Sequence, residues 1–182
     1  MSDIDGVSLQ AFGPLQKLSH EEVAALAGEA TLVVLPAGQT LFKQGDRGTT
    51  MYLLVAGHIE VHVEVQGGGS PYHLATVGPG SMLGEVGLLI DVPRTASAVA
   101  NTEAELWEIR RATFETAIEH GRKWSGALLL SIARELAKRQ RTGIGDLLKL
   151  LAELGDRDVA RLGPRLDELA LLRDRLADEW SF

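Results

Sequence analysis

From Thr31 to Val77 the chain is cut into short β-prone runs, Thr31 to Leu35, Thr40 to Lys43, Met51 to Val55, His58 to Gln66 and Tyr72 to Val77, punctuated by glycine and proline. Ile59, Val61, Val63 and Val65 alternate with Glu60, His62 and Glu64, which is the pattern of a half-buried strand with one wet face. Further runs at Arg94 to Ala100 and Glu103 to Ile109 bring the set to about eight, the number expected of a jelly-roll-type β-roll closed by turns, a cup. Helical patterns flank it. Ser19-His20-Glu21-Glu22 reads as a capping box ahead of Val23 and Leu26, with Gly28 as the stop. Arg111 to His120 and Lys123 to Arg141 turn helical again, with Leu128, Ile132 (or Ala133) and Leu136 on one apolar stripe of the second. Beyond lie a leucine-rich helix from Ile144 to Leu154, a break, and a helix from Pro164 to Trp180 whose Leu169, Leu172, Leu176 and Trp180 share a face. The expected class is therefore α+β, divided into an N-terminal helical segment (1–30), the β-roll with two following helices (31–141) and a helical extension (142–182).

The chemistry concentrates in residues 84 to 96, Gly-Glu-Val-Gly-Leu-Leu-Ile-Asp-Val-Pro-Arg-Thr-Ala. Gly84 lets backbone approach a ligand, and Glu85 to Ile90 suits one or two helical turns whose free N–H groups favour an anion. Glu85 can accept from sugar hydroxyls. Pro93 stops the turn, and Arg94, opening the next strand, offers five fixed donors to two phosphate oxygens at once, with the Thr95 hydroxyl beside it. A lone strand arginine is more often half of a surface ion pair; its place beside this helix turns the reading towards a sugar phosphate.

That order and spacing resemble the phosphate-binding cassette of the cyclic nucleotide-binding domain family, found in kinase regulatory subunits, gated channels and catabolite activator proteins. Gln44-Gly45-Asp46, Met51 to Val61 and Leu74 to Gly80 resemble the family's glycine-punctuated strands and its approach to the cassette, so about two thirds of the chain follows the pattern. The resemblance implies a ligand site at Gly84, Glu85, Val86, Arg94, Thr95 and Ala96. In it Gly84 and Glu85 meet the ribose 2′-hydroxyl, Arg94 the cyclic phosphate, and Thr95 the phosphate or the base. It also implies that the helix after the hinge, whose Ala133-Arg134-Glu135-Leu136 resembles the family's usual sequence, covers the base and often dimerises. Leu83 departs from the family's usual aromatic residue, a change of packing rather than of a polar contact.

Other chemistries fare worse. There is no cysteine, which removes disulfides, thiolate catalysis and cysteine-ligated metal centres. No serine sits in a Gly-x-Ser-x-Gly elbow, and neither a P-loop nor a dinucleotide fingerprint occurs. Gly67-Gly68-Gly69-Ser70 reads as a hairpin tip, not a phosphate loop. A metal-dependent cupin would need histidines one residue apart; His58 and His62, four apart on a strand at about 3.3 Å per residue, stand roughly 13 Å from each other. His73 could face Glu64 across the hairpin, and His20 and His120 read as ordinary helix residues. The net charge is −7, but residues 1–121 carry 6 basic against 15 acidic side chains. So acidic a body repels nucleic acid backbones and admits a small anion only where cations are local. Nothing after Arg141 reads as a DNA-binding wing, and Lys138-Arg139-Gln140-Arg141 reads as a solvated helix face or a dock for an acidic partner. The acidic start leads to no apolar run, so neither a secretory signal nor a transmembrane span is expected, and the cytosol is the default.

The expected function is that of a non-enzymatic receptor for cyclic AMP or cyclic GMP, with no metal or other cofactor. Ligand-driven movement of the helices after Arg111 would alter a homodimer or partner contact. The alternative is a scaffold of the same fold that has lost or changed its ligand.

Overall fold

The computed structural model describes residues 10–64 and 70–153. The hairpin tip at Gly67 to Gly69 and the helix expected from Pro164 to Trp180 lie outside the described residues. By compactness the chain divides into two units, Met1–Arg134 and Glu135–Phe182. Among the described residues no helix is long and apolar enough to cross a membrane.

A 3-10 segment, Gln10–Lys17, precedes helix α1, His20–Glu29. The capping box forms as read: Ser19 Oγ accepts from the Glu22 amide at 3.4 Å while Glu22 Oε2 accepts from the Ser19 amide at 2.8 Å. The helix passes through Gly28, the expected stop, and ends at Glu29, with Ala30 in an extended conformation as its cap.

Eight strands follow: β1 Thr31–Leu35, β2 Thr40–Phe42, β3 Thr50–Ala56, β4 Ile59–Val63, β5 Tyr72–Val77, β6 Met82–Leu83, β7 Ser97–Ala100 and β8 Ala104–Arg110. They form two four-stranded sheets, β1-β8-β3-β6 and β2-β7-β4-β5, with every pairing antiparallel. Two features differ from the sequence reading. Arg94 lies ahead of β7 rather than within a strand, its backbone groups bonded to the turn at Gly45 and Asp46. The eighth strand is β6, a two-residue element whose pattern is too short to show periodicity; it pairs Leu83 with Tyr52 and Met82 with Leu53.

The inward faces meet in one apolar core of Leu35, Tyr52, Leu54, Ile59, Leu83, Ala98, Ala100, Ala104 and Leu106, with Phe42, Val61 and Val77 packed against it. Leu83 thus fills core space as the sequence reading anticipated for a packing change. On the outer face, His62 stacks edge-on against His73 with ring centroids 5.4 Å apart, since the two are register partners across β4 and β5. His73 therefore meets His62 and Thr76 rather than Glu64, and His58 precedes β4 instead of sharing it.

Between β6 and β7 lies α2, Val86–Leu89; after β8 come α3, Arg111–Glu119, and α4, Lys123–Glu153. The helices expected at Lys123 to Arg141 and at Ile144 to Leu154 are one, as α4 runs on through Thr142 and Gly143 to Glu153. Trp124, Leu128 and Ile132 are buried on its inner side, which settles the apolar stripe on Ile132 rather than the exposed Ala133. Ser131 Oγ donates to the Phe12 carbonyl at 3.2 Å, tying the N-terminal segment to this helix. Leu54→Ala, at a fully buried core position, should lower unfolding free energy by about 2–5 kcal/mol in urea titrations.

Candidate ligand-binding site

Arg94 is held by its main chain before its side chain does anything. The loop joining β2 to β3 takes both of its backbone groups: Arg94 N donates to the Asp46 carbonyl at 2.8 Å, and Gly45 N donates to the Arg94 carbonyl at 2.9 Å. Gly45 takes a φ of +87° to turn there, and Asp46 Oδ2 accepts from the Lys43 amide at 2.8 Å to fix the turn. The Gln44-Gly45-Asp46 stretch is thus a backbone cradle for the arginine.

The guanidinium then points inward. Arg94 is 7% exposed, Nη1 donates to the Gly84 carbonyl at 3.1 Å, and Nη2 donates to Thr50 Oγ1 at 2.8 Å. Its Cζ lies 4.3 Å from the Phe42 ring centroid, a cation–π contact worth about 0.5–2 kcal/mol. Thr50 passes the bond on, donating to the Tyr52 hydroxyl at 3.2 Å. Glu108, opposite Tyr52 in β8, adds a nearby negative charge that disfavours ionisation of the phenol. Burial lowers the Arg94 pKa from its ordinary value, against opposing pulls from Tyr52, Asp46, Glu85 and Glu108. Burial likewise raises that of the Tyr52 phenol. At neutral pH the raised pKa keeps the Tyr52 phenol neutral. Arg94 Nε is buried and makes no hydrogen bond within the described residues. A buried donor without a partner is uncommon and costs about 1–3 kcal/mol.

Gly84 follows β6 directly, which the pairing of β6 with β3 places beside Thr50 and Tyr52. Its φ is +72°, and a Cβ built there would overlap Arg94 Nη1 and lie 2.9 Å from Cζ. Only glycine leaves the guanidinium its place. Glu85 is buried at 3% exposure and caps α2 without a side-chain capping bond. It is near enough to Arg94 to act on its charge. Helix α2 has four residues between its caps Glu85 and Ile90, one of the one or two turns expected there, so its dipole is small and an anion would rest on Arg94 and local amides. Val86 and Ala96 are partly buried and Thr95 is exposed, its hydroxyl unbonded within the described residues. Sequence reasoning missed Thr50, Tyr52 and Phe42. Alternate residues of β3 carry the first two, but nothing local distinguishes them from core positions. Among the described residues no group of three metal-ligating side chains gathers.

A cyclic nucleotide-binding domain model matches residues 32–120. The chain is 30% identical to the N-terminal domain of a transcriptional regulator from Streptomyces coelicolor A3(2), over 74% of this chain and 94% of that one, with a TM-score of 0.61. It is 32% identical to a cAMP-dependent protein kinase regulatory subunit from Dictyostelium discoideum, over 64% of this chain and 37% of the relative. To a CRP-like cAMP-activated global transcriptional regulator from Mycobacterium tuberculosis it is 29% identical, over 75% of this chain and 60% of the relative. The two-sheet roll, the short helix between β6 and β7 and these matches make the chain a member of the cyclic nucleotide-binding domain family. It is a domain homologous to cAMP and cGMP receptors, and it spans between 37% and 60% of the length of the two curated relatives described above.

Methionine keeps an unbranched apolar stem like that of arginine but carries no charge and no donors. Arg94→Met should leave the ligand-free protein within about 1 kcal/mol of the parent in urea unfolding, because the lost contacts are offset by removing a buried, incompletely bonded cation. A larger loss would show that the guanidinium is primarily structural.

Proposed function

We propose that the chain is a non-enzymatic cyclic nucleotide receptor, taking cyclic AMP or cyclic GMP at Gly84, Glu85, Val86, Arg94, Thr95 and Ala96. Arg94 carries the reading: it is buried, faces inward and keeps an unpartnered donor. A cyclic phosphate supplies what the site lacks, an acceptor with negative charge that can engage Nε and replace the Gly84 carbonyl at Nη1. Glu85, at the opposite edge of Gly84, suits a ribose hydroxyl. The exposed Thr95 hydroxyl is free to meet the phosphate or the base. Both curated relatives described above carry cAMP in their names, which favours cyclic AMP as the first ligand to test.

Output leaves through the helices after β8, to a second copy or a separate protein. Leu129 and Leu130 are exposed at 40% and 46% on α4, and Ala133, Ala137 and Gln140 continue the exposed side of that helix from Leu130. In sequence the same three-and-four spacing runs to Ile144, Leu147 and Leu151, as in a two-stranded coiled coil. No DNA-reading or membrane-spanning role is part of this proposal.

In a thermal-shift panel the cognate nucleotide at one hundred times its dissociation constant should add about 2.7 kcal/mol, or several degrees. Arg94→Ala should weaken binding by about tenfold to a hundredfold in calorimetry, the loss of a charge-assisted contact of about 2 kcal/mol. No shift with any cyclic nucleotide would leave the scaffold role in its place. Sedimentation should find a dimer that Leu130→Arg dissociates; a monomeric parent would direct the output to another protein.

A further inference from the structure

Arg111 stands where β8 ends and α3 begins, and its guanidinium turns back from the helix it opens onto the backbone of two other segments. Nε donates to the Gly87 carbonyl at 2.9 Å. Nη2 donates to the Gly48 carbonyl at 2.8 Å and the Ile90 carbonyl at 2.9 Å, and also touches the Gly87 carbonyl. Nη1 meets Asp91 Oδ1 at 3.3 Å, and the Arg111 amide donates to the Thr49 carbonyl at 2.9 Å. The side chain is 18% exposed.

Gly87 and Ile90 belong to the four-residue helix α2 and its C-cap, whose last carbonyls have few partners within the helix, and Gly48 belongs to the loop between β2 and β3. They lie on a tight seam. A Cβ on Gly87 would stand 2.7 Å from the Gly48 carbonyl oxygen, and one on Gly48 3.1 Å from that of Val92. Arg111 bridges this seam with a planar fork, which the single ammonium of a lysine cannot reproduce.

The cassette helix is therefore gripped at both ends by arginines. Arg94 holds the entry, through the Gly84 carbonyl, and Arg111 holds the exit. The grips differ in kind. A phosphate competes with the Gly84 carbonyl for Arg94, whereas the Arg111 bonds face away into backbone and keep their acceptors. Resting on the receptor reading above, we propose that Arg111 is the positioning residue that joins the cassette to α3: when ligand releases and redraws the entry of α2, the exit carries the first turn of α3 with it. Hydrogen bonds weaken steeply once stretched or bent, so following is the lower-energy response. The ligand biases the helices only through this difference between two arrangements.

The test is hydrogen exchange by mass spectrometry on the full chain, with and without saturating cyclic AMP and, separately, cyclic GMP. The parent is compared with Arg111→Lys, Arg111→Met and Asp91→Asn. In the parent, nucleotide should change exchange both in residues 84–92 and in residues 111–134. In Arg111→Lys and Arg111→Met the change at 84–92 should persist while that at 111–134 is lost; Asp91→Asn, which removes only the exposed ion pair, should behave as the parent. A merely structural arginine would lower the melting temperature yet leave the ligand-dependent change at 111–134 in place, and that result overturns the proposal. So does a parent whose cassette responds while 111–134 does not. If Arg111→Met does not fold, Arg111→Lys decides. Absence of any binding by the parent refutes the receptor reading itself, and is told apart by the silent cassette.

Discussion

Burial of one guanidinium organises the ligand side of this protein. A charge at 7% exposure is costly unless its donors are bonded and its field is answered. Each neighbour of Arg94 meets part of that demand. Gly84 and Thr50 accept two bonds, Phe42 offers its ring face, and Asp46, Glu85 and Glu108 supply negative charge at a distance. The demand is not fully met, since Nε remains without a partner within the described residues. On the proposed reading, that residual gives an incoming anion an advantage over the protein's own carbonyls.

The fold exists around that arrangement in a specific way. Strand β3 is the hub, pairing with β8 on one side and β6 on the other. Tyr52 therefore stands opposite Glu108 through one neighbour while β6 delivers Gly84 beside Thr50 through the other. The loop after β2 fixes the Arg94 backbone, and the same loop, at Gly48, abuts α2. Ligand site, cassette helix and the start of α3 thus share one small region of backbone, where a movement at one point has little room to dissipate before it reaches the next.

Much of this was legible in the residues. Thr31–Leu35 and Tyr72–Val77 are strands with the bounds expected from their flanking glycines and prolines, and Ser19 with Glu22 forms the capping box their spacing suggested. Alternation and capping are local rules, so they survive folding. The misses share a cause. Strand β6 is too short for periodicity, and α1 passes Gly28 because tertiary packing of Val23 and Leu26 outweighs a glycine's modest helix penalty. Likewise α4 passes Gly143, and the partner of His73 depended on a bulge between Val61 and His62 that no pattern announces.

Taken alone, the order of residues determined that the chain builds a β-roll with flanking helices, and that Gly84, Glu85 and Arg94 flank a short helix. Those follow from period and turn chemistry, both properties of neighbours in sequence. Only the tertiary structure decided which way the arginines face. Thr50, Tyr52 and Phe42 meet Arg94 across 44, 42 and 52 positions of chain, and Arg111 reaches Gly48 across 63. Contacts of that separation are set by strand pairing and close backbone approach, neither of which any single segment encodes.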